Sequence, residues 1–185
     1  MKILALSTSP HLHGNSAHLV DELLAGAREA GAETERLDIN PMSIRGCQGD
    51  FACKKTGRCV QQDDMQAVYD KIDQADAVVF ASPVYMGDVN AQLKTVLDRL
   101  FPYVDMNLVS RINPPKRSVL VATQAQPDGK VFLDQLAAFP KVLKALGFGE
   151  AEVFLGTGLG GPDAAAKRPD LEAGARELGR KLAQA

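Results

Sequence analysis

The chain has 185 residues, 45% of them hydrophobic and 24% charged, proportions of an ordinary globular protein that exclude collagen, a coiled coil and a disordered tract. Its 21 basic and 23 acidic residues leave a net charge of −2 and no basic stripe for a phosphodiester backbone, so nucleic acid is not an expected partner. No composition shift divides the chain, and one domain over residues 1–185 is expected. The opening apolar run, residues 2–7, is too short for a signal peptide or a membrane span, so the expectation is a cytoplasmic protein with no membrane partner.

A first strand is expected at residues 2–7. The helix after it has Leu19, Leu23, Leu24 and Ala27 on one face, Gly14 or Asn15 at its start and Gly31 at its end. A second strand follows at 34–38. After a long irregular stretch, Asp63 with Gln66 has the form of a capping box, opening a helix that faces inward through Met65, Val68 and Ile72. A third strand at 77–81 leads to a helix with Leu93, Val96, Leu97, Leu100 and Phe101 at helical spacing. A fourth, at 117–123, precedes a helix over about 131–146 that Pro140 should kink or split. A fifth, at 151–155, leads to a last helix beginning near Pro169, a residue suited to a first helical position. Strands one, three and four are nearly continuous apolar runs, as strands buried on both faces are. The alternation predicts an α/β protein with a five-stranded parallel sheet covered by helices on both faces.

In such a sheet ligands sit beyond the carboxyl ends of the strands, where helix N-termini and loop amides converge. After strand one the chain reads Ser7-Thr8-Ser9-Pro10-His11-Leu12-His13-Gly14-Asn15-Ser16. These hydroxyls before a helix suit a terminal phosphate, and suit an ordinary capped turn equally well. The loop matches neither a Walker motif nor Gly-x-Gly-x-x-Gly. His11, His13 and His18 lack the spacing of a metal site, and His11 reads better as a phosphate donor. After strand three come Pro83, Val84, Tyr85, Met86 and Gly87, a turn whose amides can approach the polar edge of a flat heterocycle. Tyr85 also suits a core or a dimer interface, and Asp98 with Arg99 reads as a local pair. Cys47, Cys53 and Cys59 fall close together with no secretion signal, so metal binding, redox chemistry or inheritance explains them better than a disulfide framework.

Taken together, three segments resemble the NADPH-dependent FMN reductase superfamily, and within it the iron–sulfur flavoprotein branch. They are Ser-Thr-Ser-Pro-x(3)-Gly-Asn-Ser, the cysteine loop ending in Asp63-Asp64-Met65, and Ser-Pro-Val-Tyr-x-Gly-x-Val-x-Ala-x-Leu-Lys-x(3)-Asp-Arg. The likeness runs along nearly the whole chain, including the tail Lys-Arg-Pro-Asp-Leu-Glu-x(4)-Glu-Leu-Gly. It implies a flavodoxin-like three-layer sandwich, strand order 2-1-3-4-5. It implies FMN, with Ser9, His11, Asn15, Ser16 and Ala17 around the phosphate, Pro83, Val84, Tyr85, Met86 and Gly87 along the isoalloxazine, and a loop from Thr123 to Gly129 closing the site. The expected activity is transfer of electrons from NADPH or NADH through FMN to a small acceptor such as a quinone or a flavin, with no side-chain acid or base required. The alternative is an electron-transfer protein served by a ferredoxin-like donor, although a carrier of that kind is usually more acidic than this chain. A homodimer or homotetramer is implied, with residues 85–88 and 103–113 near an interface.

The loop at residues 43–62 carries Cys47-x(5)-Cys53-x(5)-Cys59, whereas the iron–sulfur branch resembles Cys-x(2)-Cys-x(2)-Cys-x(5)-Cys. Asp50 stands at the second ligand position. A [4Fe-4S] cluster wants four terminal ligands. The sequence reading therefore favours a loop that has lost its cluster over one that retains it on three thiolates and Asp50, and a zinc site is less favoured still.

Overall fold

A computed structural model describes residues 1–184 of the chain. The run Lys-Ile-Leu-Ala-Leu-Ser forms β1 (Lys2–Ser7), flanked in parallel by β2 (Glu33–Asp38) and β3 (Ala77–Tyr85). A two-residue strand, β4 (Asp88–Val89), folds back antiparallel on the end of β3. Beyond β3 lie β5 (Arg117–Thr123) and then β6 (Glu152–Gly156), both parallel, so the order is β2-β1-β3-β5-β6 with β4 as a spur. Without the spur this is the flavodoxin-like order expected. β3 is longer than expected because its last residues leave the core to make the hairpin.

Side chains alternate across the sheet, as the period of a strand requires. Leu4, Leu6, Val78, Phe80 and Leu120 face α3 (Met65–Gln74), α4 (Ala91–Arg99) and α5 (Leu133–Leu146). Ile3, Ala5, Val79, Ala81 and Val121 face α1 (Asn15–Glu29) and α6 (Pro169–Gln184). One short helix, α2 (Cys53–Thr56), lies in the cysteine loop. Each fully buried Leu, Ile or Phe contributes about 1.5–3 kcal/mol, and both faces are filled with them.

α1 and α6 approach backbone to backbone. A Cβ on Gly26 would lie 2.0 Å from the Arg176 carbonyl oxygen, and one on Gly179 would lie 1.9 Å from that of Leu23. No side chain larger than hydrogen fits at either position.

Of the two outcomes expected at Pro140, a kink or a split, the split does not occur: α5 runs on from Leu133 to Leu146. The anchoring of Leu136, Phe139, Leu143 and Leu146 outweighs the roughly 3 kcal/mol that an internal proline costs. The capping box at α3 is not formed. Asp63 accepts from the Met65 N–H at 3.2 Å, but its carboxylate chiefly holds Arg99, while the Gln66 amide donates to the Cys59 and Gln61 carbonyls.

Candidate functional site

At the end of β1 the chain turns outward and enters α1 at Gly14, whose extended backbone makes it the cap. Gly14 brings no capping side chain, so the first-turn amides of Asn15, Ser16 and Ala17 have no partner among the described residues. Ser9 is buried before them, its Oγ accepting from the His11 N–H at 3.1 Å. Ser16 Oγ lies 2.6 Å from Thr123 Oγ1 at the end of β5, both buried. The Asn15 side chain does not cap the helix. It donates to the Gly161 carbonyl at 2.7 Å and accepts from the Ala165 N–H at 2.8 Å, tying down the loop after β6.

The loop after β3 is a two-residue hairpin. Tyr85 pairs with Asp88 across it, and Met86 (φ 51°) and Gly87 (φ 89°) are both left-handed, as a type I′ turn requires. Glycine adopts that conformation freely; methionine does so at a cost of about 1–2 kcal/mol. Met86 is fully exposed and Tyr85 about half so. The buried side chain of Asn90 joins the two loops: it donates to the Thr8 carbonyl at 2.7 Å, meets Thr8 Oγ1 at 2.8 Å, and caps α4 by accepting from the Leu93 N–H at 3.0 Å.

Between these loops lies a cleft of about 450 Å³, within the range of small-molecule sites. It brings together Ser9, His11, Asn15, Ser16, Pro83, Val84, Tyr85 and Thr123 from the expected set. Ala17 lies behind it in α1, Met86 and Gly87 form the hairpin tip beyond its wall, and Gly129 packs against Thr157 and Leu155 instead. A larger depression of about 720 Å³, around Asp73, Asp76, Tyr103 and Arg117, opens at the amino ends of the strands, where no helix N-terminus converges. The sequence reading missed Gln124, whose Nε2 donates to the Gln126 and Asp128 carbonyls while its Oε1 is buried without a partner. It also missed Leu159, Gly160 and Gly161, which wall the cleft from the loop after β6. The glycines of that loop are compatible with any turn and gave no signal of a binding wall.

The three histidines do not meet. His11 lines the cleft, His13 is exposed, and His18 Nε2 lies 2.7 Å from Glu172 Oε1 on α6. Glu22 stands close to that pair and is also held by Arg176.

Behind the hairpin, at the far end of α4, the cysteine loop closes on itself. Cys47, Asp50, Cys53 and Cys59 line one small cavity with Arg99, Phe101 and Pro102. The backbone N–H of Gly49 donates to Cys47 Sγ at 3.4 Å, and Asp50 Oδ1 accepts from the Ala52 N–H at 2.9 Å. Burial pushes the Cys53 thiol up, opposed by the neighbouring Lys54 ammonium. Lys54 is itself buried and donates to the Phe101 and Val104 carbonyls, beneath which it lies over the Phe101 ring. Arg99 does not pair with Asp98, which binds Lys94 at 2.6 Å. Its guanidinium reaches Asp63 at 2.7 and 3.0 Å, with both side chains withdrawn from water. Burial alone would raise the Asp63 carboxyl and lower Arg99, but the pairing outweighs it, holding Asp63 below and Arg99 above its ordinary range. Three thiols and a carboxylate are a donor set suited to cluster iron; Cys47 and Asp50 are exposed, Cys53 is buried and Cys59 half-buried. Among the described residues, the group whose ligand atoms lie mutually within 4.8 Å is His18, Glu22 and Glu172, not the cysteines. Ligands of a cluster bind different irons and so stand further apart than those of one ion.

The sheet order, with a cleft at the switch point beyond the carboxyl ends of β1 and β3, defines a flavodoxin-like α/β protein. The chain belongs to the NADPH-dependent FMN reductase family, whose model matches residues 1–146. An iron-sulfur flavoprotein of Methanocaldococcus jannaschii is 32% identical over 190 residues, covering 100% of this chain and 96% of that protein. One of Archaeoglobus fulgidus is 39% identical over 103 residues, 56% of this chain, and this match spans about half of that relative, 47% of its length. Among solved structures, NAD(P)H:quinone oxidoreductase from Methanothermobacter marburgensis superposes with a TM-score of 0.80 at 20% identity, covering 100% of this chain and 98% of its own. An FMN-dependent NADH-azoreductase from Bacillus anthracis, in complex with FMN, gives 0.74 at 12% identity, with both chains covered to 100%. At such identities these two likenesses speak for the fold.

Proposed function

We propose that this protein is an FMN-dependent NAD(P)H oxidoreductase that takes electrons from NADPH or NADH and passes them to a small acceptor, a quinone or a flavin. The observation that carries the reading is the set of partnerless first-turn amides at Asn15, Ser16 and Ala17, standing at the cleft beside buried Ser9. Such a helix terminus suits one phosphate, and no second phosphate loop of the dinucleotide kind accompanies it. Asn15 contributes its backbone amide there, since its side chain holds the loop after β6. His11 adds a donor at the rim of the cleft.

FMN, when bound, supplies the hydride and electron transfer. Pro83, Val84 and Tyr85 would wall the ring, backbone amides of the turn at Met86 and Gly87 would serve its polar edge, and the loop from Thr123 to Gly129 would close the other side. The partnerless Gln124 Oε1 fits the group, since it offers an acceptor to a ligand hydroxyl or N–H inside the cleft. The chain's part is binding, orientation and exclusion of water, with no side-chain proton transfer.

A homo-oligomer, dimer or tetramer, agrees with the exposed apolar side chains of Tyr85, Met86, Met106, Leu108 and Val109 in the two segments expected at an interface. Among the described residues no helix is long and apolar enough to cross a membrane. The cysteine cavity favours a second reading, electron transfer from a ferredoxin-like donor.

Mass analysis of the released cofactor, followed by anaerobic addition of NADPH or NADH, tests the proposal. FMN whose absorption bleaches directly is the expected result. FAD, or no flavin after reconstitution with FMN, overturns the cofactor; reduction through a protein donor alone overturns the nicotinamide activity in favour of the second reading.

A further inference from the structure

The cavity formed by the cysteine loop is separate from the flavin cleft, and the oxidoreductase reading makes no use of it. Four side chains able to bind iron line it: Cys47, Asp50, Cys53 and Cys59. An independent observation points to a bound group. Arg99 is 1% exposed, lines the same cavity, and has a buried Nε with no partner even though its two terminal nitrogens are satisfied. A buried guanidinium N–H left open is costly, and an anionic group in the cavity would complete it. The loop backbone has the matching form. Phe51 is left-handed (φ 59°) and Ala52 right-handed, an alternation that turns successive amides to one side, as at many cluster and phosphate sites. Cys47 Sγ already accepts from the Gly49 amide, the kind of contact that stabilises a thiolate on iron.

We propose that Cys47, Cys53 and Cys59 hold three irons of a cubane iron–sulfur cluster and that Asp50 holds the fourth through oxygen, making that one iron exchangeable. Asp50 Oδ1 is tethered by the Ala52 amide, which leaves Oδ2 to the metal. Carboxylate is a harder ligand than thiolate and grips cluster iron less firmly, so the corner it holds is the labile one. Arg99 balances the charge of the thiolates and sulfides and donates through Nε to the cluster. This runs against the sequence reading, which favoured a loop without a cluster. What alters the balance is the orphaned arginine, a feature visible only once α4 and the loop are packed together.

The test uses the full chain, reconstituted without oxygen with ferrous iron and sulfide, and reads iron, acid-labile sulfide and the Mössbauer spectrum, with flavin content as an independent check of the fold. A chelator should then withdraw about one iron in four from the wild type. The ion leaves as ferrous iron, its bonds to Asp50 and to sulfide breaking, while the three-iron core keeps every electron, so no oxidant or reductant is consumed. Isotopically labelled ferrous iron should return to that single site. Asp50→Cys should load equally and resist the chelator. The proposal is overturned if the wild type takes up no stoichiometric iron and sulfide while Asp50→Cys does. It is equally overturned if the wild-type cluster loses all its irons together, or none. These readouts do not depend on flavin reduction, so failure here and failure of the oxidoreductase reading are distinguishable.

Discussion

Thr8 and Asn90, 82 residues apart in the chain, exchange two contacts inside the protein: Asn90 Nδ2 to the Thr8 carbonyl and Thr8 Oγ1 to Asn90 Oδ1. The loop after β1 and the segment after the β3–β4 hairpin are therefore tied to one another, and the capping of α4 depends on the same side chain.

Replacing Asn90 with alanine removes the cap and leaves the Thr8 carbonyl short of a donor. A loss of about 2–4 kcal/mol is expected, from about 1 for the cap and 1–3 for the buried polar group. Urea unfolding measures it. FMN titration should show weaker binding even though Asn90 need not touch the flavin, and unchanged affinity would show that the two loops are held by something else.

The pair of Asp63 and Arg99 gives a prediction with a pH sign. Asp63 is held below its ordinary value of 3.8, so its contribution to stability is present above that value and is lost as pH falls through the lower folded value. Asp63→Asn should destabilise the protein by about 3–5 kcal/mol near neutrality, because Arg99 is left buried and unpaired. The gap between variant and wild type should narrow below about pH 4. Unfolding curves at several pH values check both parts, and a constant gap would contradict the pairing.

Gly26→Ala and Gly179→Ala should each lower the melting temperature, since the added methyl meets a backbone carbonyl. Overpacking costs about 1–3 kcal/mol, and a chain of this size loses about 2–4 °C for each. Gly31→Ala is the control for helix-end effects. Its Cβ meets nothing within 4 Å, so its penalty comes only from the left-handed φ of 88°.

Met86→Gly should stabilise the free protein by up to about 1 kcal/mol, by relieving the left-handed methionine at the hairpin tip. Differential scanning calorimetry in the absence of FMN measures it. A loss instead would mean that the exposed side chain is buried in an oligomer.

The strands were legible because central strands of a parallel sheet leave an unmistakable mark, an apolar run such as residues 77–81 between polar ends. The hairpin was not, because Met86 is not a residue that announces a left-handed turn. The cleft residues on the first and third loops were legible through motif order, and the wall from Leu159 to Gly161 was not, since glycines there are compatible with any turn. Asp98 drew attention as the neighbour of Arg99, but adjacent helix residues point apart, and the true partner, Asp63, is 36 positions away. A glycine within a helical pattern, such as Gly26, carries no sign of which neighbour it admits. The Asp50 substitution was plain in the sequence, whereas the orphaned Arg99 nitrogen that gives it meaning depends on packing.

The close seating of α1 against α6 has a consequence during synthesis. The sheet covers one side of α1 as soon as its central strands are made, but the side at Gly26 waits for α6, which begins at Pro169 whereas α1 ends at Glu29. At ribosomal rates of about 5–20 residues per second, that side stays bare for roughly 7–28 s. Its nascent chain should therefore be a client of ribosome-associated chaperones, and slow codons late in the message should prolong that exposure without altering a residue of the finished protein.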